Sequence, residues 1–379
     1  NLRLGLNAGN SIASGGNYNV VIGDEAGTAL TTGDDNVAVG YNALITEDEH
    51  GNNVAIGSGS LKMLNAGAHG YNVGVGVDTG TSLTTGVQNT LVGALAGDAL
   101  TDADQNIAIG YSALSADTLG SRSVAIGGNA LIVQNFTTAT NTYNTAVGAN
   151  AGSSVSTGTS NTLIGGLSGD SLTTGGNNVA VGLNALGSNT ASFSNVAIGV
   201  RALEDFNVTT ATSTYNVAVG EDAGRDITTG ISNTLIGGLA GDALQASSEN
   251  VAVGYQALTA ATSGDGNTAV GVKAMDANVT GDRNVAVGAD ALGSMNPASN
   301  ADMYNVALGY AAGRDTTTGI NNTFLGGLAG YDGASGNNNV IIGYAAGQNN
   351  AAAQNTLVGA SSGFALTSGA DNVAVGFEA

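Results

Sequence analysis

The chain has 379 residues, 29 acidic and 8 basic side chains, a formal net charge of −21, and neither cysteine nor tryptophan. This excludes a disulfide framework, and it excludes nucleic-acid binding, which needs a cationic surface to displace phosphate counterions. Glycine is abundant at 61 residues and aromatic residues are only 4% of the chain, which excludes an ordinary globular core, while a hydrophobic fraction of 42% excludes disorder.

No apolar run approaches the roughly 18 residues of a membrane span, so no membrane insertion is expected, and an anionic membrane would repel the acidic surface. No signal peptide is visible, and the chain starts at Asn1 rather than Met.

One five-residue pattern recurs from end to end: Asn, an apolar residue or Thr, a mostly small residue, a Val, Ile or Leu, then Gly. Early copies are Asn36-Val37-Ala38-Val39-Gly40 and Asn53-Val54-Ala55-Ile56-Gly57; the last is Asn372-Val373-Ala374-Val375-Gly376. There are 22 copies, and 15 of the 21 spacings between them are 17 residues. A unit this short cannot hold a strand–helix–strand repeat. It suits one coil with short strands and tight turns, each pairing in parallel with the coils above and below. The expected fold is therefore all-β, a parallel β-solenoid of about 22 coils, forming a single continuous repeat domain over residues 1–379.

Each column has a physical reading. The fifth position is Gly in all 22 copies, which marks a sharp turn, a positive φ or a close backbone approach. The first is Asn in 21 copies, with Ser123 the exception, and stacked amides can form a hydrogen-bonded ladder. The eighth admits no large side chain: it is Ala in 18 copies and otherwise Ser60, Thr79, Ser168 or Ser362. The ninth is either Gly or Leu (once Met275), and where it is Gly an apolar residue usually follows three places later, as in Gly27 with Leu30, Gly97 with Leu100 and Gly224 with Ile227. One interior slot filled by two routes is expected.

Strand side chains alternate between faces. Positions two and four are expected to fill the coil interior, with position three outward. Position three is Ala in 13 copies and Leu91, Leu163, Leu235 or Leu357 in four more. An outward stripe of this kind would far exceed a normal exposed apolar patch, so it is expected to be covered by other chains. The competing reading covers it within the monomer, by another part of the same coil.

Several short segments carry possible chemistry. Glu47-Asp48-Glu49-His50 offers metal-ligand types but one histidine, and reads as a solvated charged loop. Gly74-Val75-Gly76-Val77-Asp78 loosely matches a nucleotide loop but lacks a following helix. Extra residues enter before the copies at 72, 144, 216 and 305, ending in Tyr71, Tyr143, Tyr215 and Tyr304; the longer insertions run over 132–143, 204–215 and 293–304. Insertions at one repeat position emerge along one edge, so these tyrosines are the candidate receptor-binding residues, either stacking on a host cell-surface glycan or protein or only packing their own loops. Asn207-Val208-Thr209 and Asn278-Val279-Thr280 fit the glycan-acceptor pattern. Gly359-Ala360-Ser361-Ser362-Gly363 matches a nucleophile elbow, yet the only histidines are His50 and His69, and a repeat corner is the expected reading. No catalytic residue, metal ligand or cofactor is expected.

The Asn-Val-Ala-Val-Gly…Ala pattern resembles the head repeats of trimeric autotransporter adhesins. The 17-residue variant, as in Thr173-Thr174-Gly175-Gly176-Asn177-Asn178-Val179-Ala180-Val181-Gly182, is more similar to repetitive bacteriophage tail-fibre proteins. The resemblance implies a left-handed β-roll, a parallel homotrimer and a virion fibre for host attachment. A bacterial cell-surface adhesin is the alternative, and a polysaccharide depolymerase on a β-solenoid the second alternative, although no convincing carboxylate pair for such a reaction is evident.

Overall fold

The computed structural model describes residues 1–333 and 335–379. It is a parallel β-solenoid of about 22 turns, roughly 17 residues apart, with no helix among the described residues. The chain divides into two compact units, Asn1–Phe193 with Thr209–Ala211, and Ser194–Val208 with Thr212–Ala379. Each carries eleven three-residue coil strands, from Leu2–Leu4 to Val179–Val181 in the first and from Val196–Ile198 to Val373–Val375 in the second. Neighbouring strands pair in strict column register: Val37 opposes Val54, Ala38 opposes Ala55 and Val39 opposes Ile56.

The glycine column sets that register. Every fifth-position Gly has φ between 128° and 147°, a region that L side chains rarely adopt. Twenty of the twenty-two also lie against the next coil's glycine. A Cβ on Gly110 would sit 2.6 Å from the carbonyl carbon of Gly127, and one on Gly254 would sit 2.5 Å from the carbonyl oxygen of Gly271.

The asparagine column ties the coils together. Nearly every Asn of the column accepts, through Oδ1, the backbone N–H of the next coil's first residue: Asn89 to Asn72 at 2.9 Å, Asn161 to Asn144 at 2.9 Å, Asn250 to Asn233 at 3.0 Å. Its Nδ2 donates across its own coil to the carbonyl fourteen residues on, as from Asn89 to Ala103 at 2.7 Å and from Asn216 to Gly230 at 2.8 Å. Amide-to-amide bonds are present too, such as Asn339 Nδ2 to Asn322 Oδ1 at 3.0 Å. At Ser123 the Oδ1 is missing, and the insertion supplies substitutes. Ser123 Oγ meets Thr142 Oγ1 at 2.6 Å and Gln134 Nε2 at 2.8 Å, and Gln134 Oε1 accepts from Asn144 Nδ2 at 2.8 Å.

The facing of the strands is the reverse of the sequence expectation. Position three is the inward one: Val21, Ala38, Leu91, Ala146 and Leu235 have no exposed surface, and Phe324 has 3%. It is covered within the monomer by its own coil, so the alanine stripe needs no sister chain to hide it. Positions two and four face outward. The reason is the thinness of the coil, which leaves room for Ala at three and Ala at eight but not for two β-branched rows.

The interior slot is filled by exchange. Leu44, Leu114 and Leu258 at position nine are fully buried, as are Leu30, Leu100 and Ile227 at position twelve. A Cβ on Gly27 would meet Leu30 Cδ1 at 2.7 Å, and one on Gly97 would meet Leu100 Cδ1 at 2.8 Å, so the two routes occupy the same space. Position three joins the exchange. All nine coils with Leu or Met at nine have Ala at three, whereas Leu91, Leu163, Leu235 and Phe324 each accompany a Gly at nine.

Candidate functional site

Several polar side chains of the coil interior have identifiable structural duties, whereas the buried Ser247 Oγ and Thr316 Oγ1 have no hydrogen-bond partner among the described residues. Where position nine is Leu or Met, position twelve is released from the core and several coils place a polar residue there. Asp117 Oδ1 accepts the Gly120 N–H at 3.0 Å, Asn189 Oδ1 the Ser192 N–H at 3.1 Å, and Asn278 Oδ1 the Gly281 N–H at 2.8 Å. Each caps the last turn of its coil. Asn278 is fully buried in this role, which withdraws it from glycan attachment.

Glu47 occupies the same position and makes the same bond, accepting the His50 N–H at 3.3 Å. Glu47, Asp48 and His50 bring one potential ligand atom each within 4.8 Å of one another, and Glu47 Oε1 lies 3.4 Å from His50 Nδ1. Burial pushes the Glu47 carboxyl up, while the Ala66 and His50 N–H groups pull it back. The central member of this cluster is thus a turn cap, and its counterparts Asn189 and Asn278 do the same work without a charge. The sequence reading of a wholly solvated loop needs correction at Glu47, which has no exposed surface.

Carboxylates elsewhere sit at the corners. Burial pushes Asp98, Asp170, Asp242 and Asp276, all at position ten, above the usual range. Asp222 and Asp315 are held below it by hydrogen bonds from Arg201 and Arg314. Arg201 and Asp222 join neighbouring coils, whereas Arg314 and Asp315 are consecutive residues of one corner. Ser361 is a left-handed corner residue with φ 55°, as its repeat position predicts, and its unit contains no histidine. Gly76 is the fixed glycine of its coil, with φ 147°, and no helix follows it. A depression of about 670 Å³ at the last coil is lined by Ser361, Phe364, Leu366 and Glu378 among others.

The insertions have anchored roots and exposed tips. Thr140–Asn141 pairs in parallel with Gly120–Ser121, and Ala301–Asp302 with Gly281–Asp282. Gln134, Phe136, Thr142, Phe206, Thr214 and Met303 are buried at the roots. Tyr71, Tyr143, Tyr215 and Tyr304 all sit immediately before the first Asn of a coil, with φ between 50° and 54°, and between 51% and 62% exposed. Tyr143 Oη accepts Arg122 Nη1 at 2.7 Å, Tyr304 Oη donates to Asp302 at 3.0 Å, and the Tyr71 ring meets His69 edge-on at 6.2 Å. Tyr71 and Tyr143 are four coils apart, ~19 Å along the stack, so each faces solvent separately.

Sequence reasoning missed a second tyrosine column. Tyr41, Tyr111, Tyr255, Tyr310 and Tyr344 all occupy position six, on the other flank of the strand, and all are exposed. Their constant offset from the Asn column was the available signal. No model of a known protein family matches this sequence, and no curated protein matches it.

Proposed function

We propose that the chain is a structural and adhesive repeat module that works as a homotrimer in an extracellular fibre for host-cell attachment, of the kind carried on a bacteriophage tail. The observation that carries this reading is the commitment of each recurring column to coil stacking: Gly to close approach, Asn to the ladder, position twelve to the core or the turn cap. A scaffold built this way holds surface features at a fixed pitch, which suits display and reach better than bond-making. The net charge of −21 favours solubility of a repetitive surface. The exposed tyrosines beside the insertions, with apolar rings and polar tips, are the receptor-contact candidates.

Light scattering on the full chain tests the assembly: three chains per particle are expected, and a monomer would end the trimer reading. The attachment role is tested with Tyr71, Tyr143, Tyr215 and Tyr304 all changed to Ala. Binding to host cells or their isolated glycans is expected to fall by about tenfold or more, since anchoring aromatics carry most of the energy of a contact. Unchanged binding would remove these residues from the role.

A further inference from the structure

Thirty of the thirty-five exposed large apolar or tyrosine side chains among the described residues fall at four places in the coil: the residue before the first Asn, and positions two, four and six. Position four is Val, Ile or Leu in every copy. Ile56, Ile109, Ile164, Ile236 and Leu325 there are between 36% and 43% exposed. Position three between them is buried, so two, four and six form the outer face of the sheet. Parallel sheets are ordinarily covered on both faces, and their strands read as continuous apolar runs for that reason. Here one face is covered by the coil and the other meets water.

Charge is nearly absent from this face. Of the 37 charged residues, only Arg3, Asp24 and Glu221 lie anywhere in positions two to six, and Arg3 is at position three. The remainder sit at the corners and in the insertions. Bulky residues at position six lean over a glycine at position six of the preceding coil in places. Leu183 Cδ1 lies 3.6 Å from where a Cβ on Gly166 would stand, and Tyr255 Cδ2 lies 3.6 Å from that point on Gly238.

We infer that this outer face is the contact surface for further copies of the same chain, running parallel and in coil register. The inference rests on the homotrimer reading above and moves its contact from the alanine column to positions two, four and six. Three observations select a copy of this chain as occupant. With ~4.8 Å between coils and ~3.3 Å per residue, positions two to six cover about 80 Å² per coil and about 870 Å² over eleven coils. A stable interface takes ~800 Å² per partner, so each unit on its own offers enough. The stripe repeats at the coil spacing, and a chain with that same spacing matches it over many consecutive coils. A neutral face lets two chains of net charge −21 meet without pressing their carboxylates together.

The test compares native mass by analytical ultracentrifugation for the full chain, a face variant and a corner variant. The face variant carries Ile109→Glu, Ile164→Glu, Ile236→Glu and Leu325→Glu; the corner variant carries Thr138→Glu and Ser299→Glu, at exposed sites outside the face. The expected result is an oligomer for the wild type and the corner variant, and the mass of one chain for the face variant with its far-ultraviolet β spectrum retained. A wild-type oligomer whose mass the face substitutions leave unchanged overturns the face assignment alone. A monomeric wild type overturns both this assignment and the trimer reading. Should the face variant lose its β spectrum, crosslinking decides: Val39→Cys and Val253→Cys, each introduced singly into a chain with no native cysteine, are expected to form disulfide-linked dimers within the particle, and Ser299→Cys is not. Equal crosslinking at all three sites overturns the assignment.

Discussion

At the scale of single residues, backbone conformation dominates. The coil uses left-handed φ at four places: the residue before Asn, the fifth-position Gly, position seven and position nine. Non-glycine residues occupy most of these, including Leu44 at φ 51° and Lys273 at φ 57°. Such a conformation costs an L residue about 1–2 kcal/mol, and here the neighbouring coils' hydrogen bonds hold it. At the fifth position no such compromise exists, because the added Cβ meets backbone on the next coil. Gly110→Ala is expected to cost on the order of 3 kcal/mol, read as a lower urea midpoint, with loss of the fold a stronger form of the same outcome.

Asp117 supplies a residue-scale test of pH. Its carboxylate accepts Gln134 Nε2 at 2.6 Å and the Phe136 N–H at 3.1 Å, and it is fully buried. Burial raises its carboxyl above the unfolded value, despite the bonds from Gln134 and the backbone that lower it. A raised folded value means that its contribution is fully present below the unfolded pKa, ~3.9, and is lost as pH rises through the folded one. The stability of the wild type relative to Asp117→Asn, measured by urea unfolding, is therefore expected to be highest near pH 4 and to fall toward pH 8. A gap independent of pH would contradict this assignment.

At the scale of the coil, the element is defined by exchange among positions three, nine and twelve. Gly27→Leu alone forces a second side chain into space held by Leu30 and is expected to cost about 1–3 kcal/mol. Adding Val21→Ala and Leu30→Asn converts this coil to the type built by Ala180, Leu186 and Asn189, and most of the loss is expected to return. Urea unfolding of the single and triple variants measures the coupling; an additive result would show that the slot is not shared. Much of this coil was legible in the sequence. The Gly and Asn columns and the two filling routes each left an invariant or compensating pattern. The facing did not follow, because alternation gives relative phase and cannot say which phase is inside. The usual rule, larger apolar residues inward, reverses in a coil too thin for them. A sequence signal for the correct phase existed in the Ala at position three that accompanies every Leu or Met at nine.

At the scale of the whole molecule, charge and apolar surface are segregated. Acidic residues gather at corners of successive coils, where like charges lie close together. Salt screens such exposed repulsion, so the thermal midpoint is expected to rise between low salt and roughly 0.5 M sodium chloride. A fall would mean that pairs such as Arg201 with Asp222, 2.7 Å apart, outweigh the repulsion. The candidate tyrosines were partly legible at this scale. Their regular placement before Asn was evident, whereas the anchoring of the insertion roots by extra strands and buried polar groups was not.

The amino-acid sequence alone determined the coil: its length, its parallel stacking and the columns of glycine and asparagine that join one coil to the next. That follows because the strand pairing, the glycine approach and the Asn Oδ1 bonds join identical columns of adjacent repeats, so periodicity in the chain is periodicity in space. The tertiary structure decided which strand face is covered, what position twelve does and how the insertions are tethered. Those depend on distances across the coil section, between residues whose separation in the chain carries no period of its own.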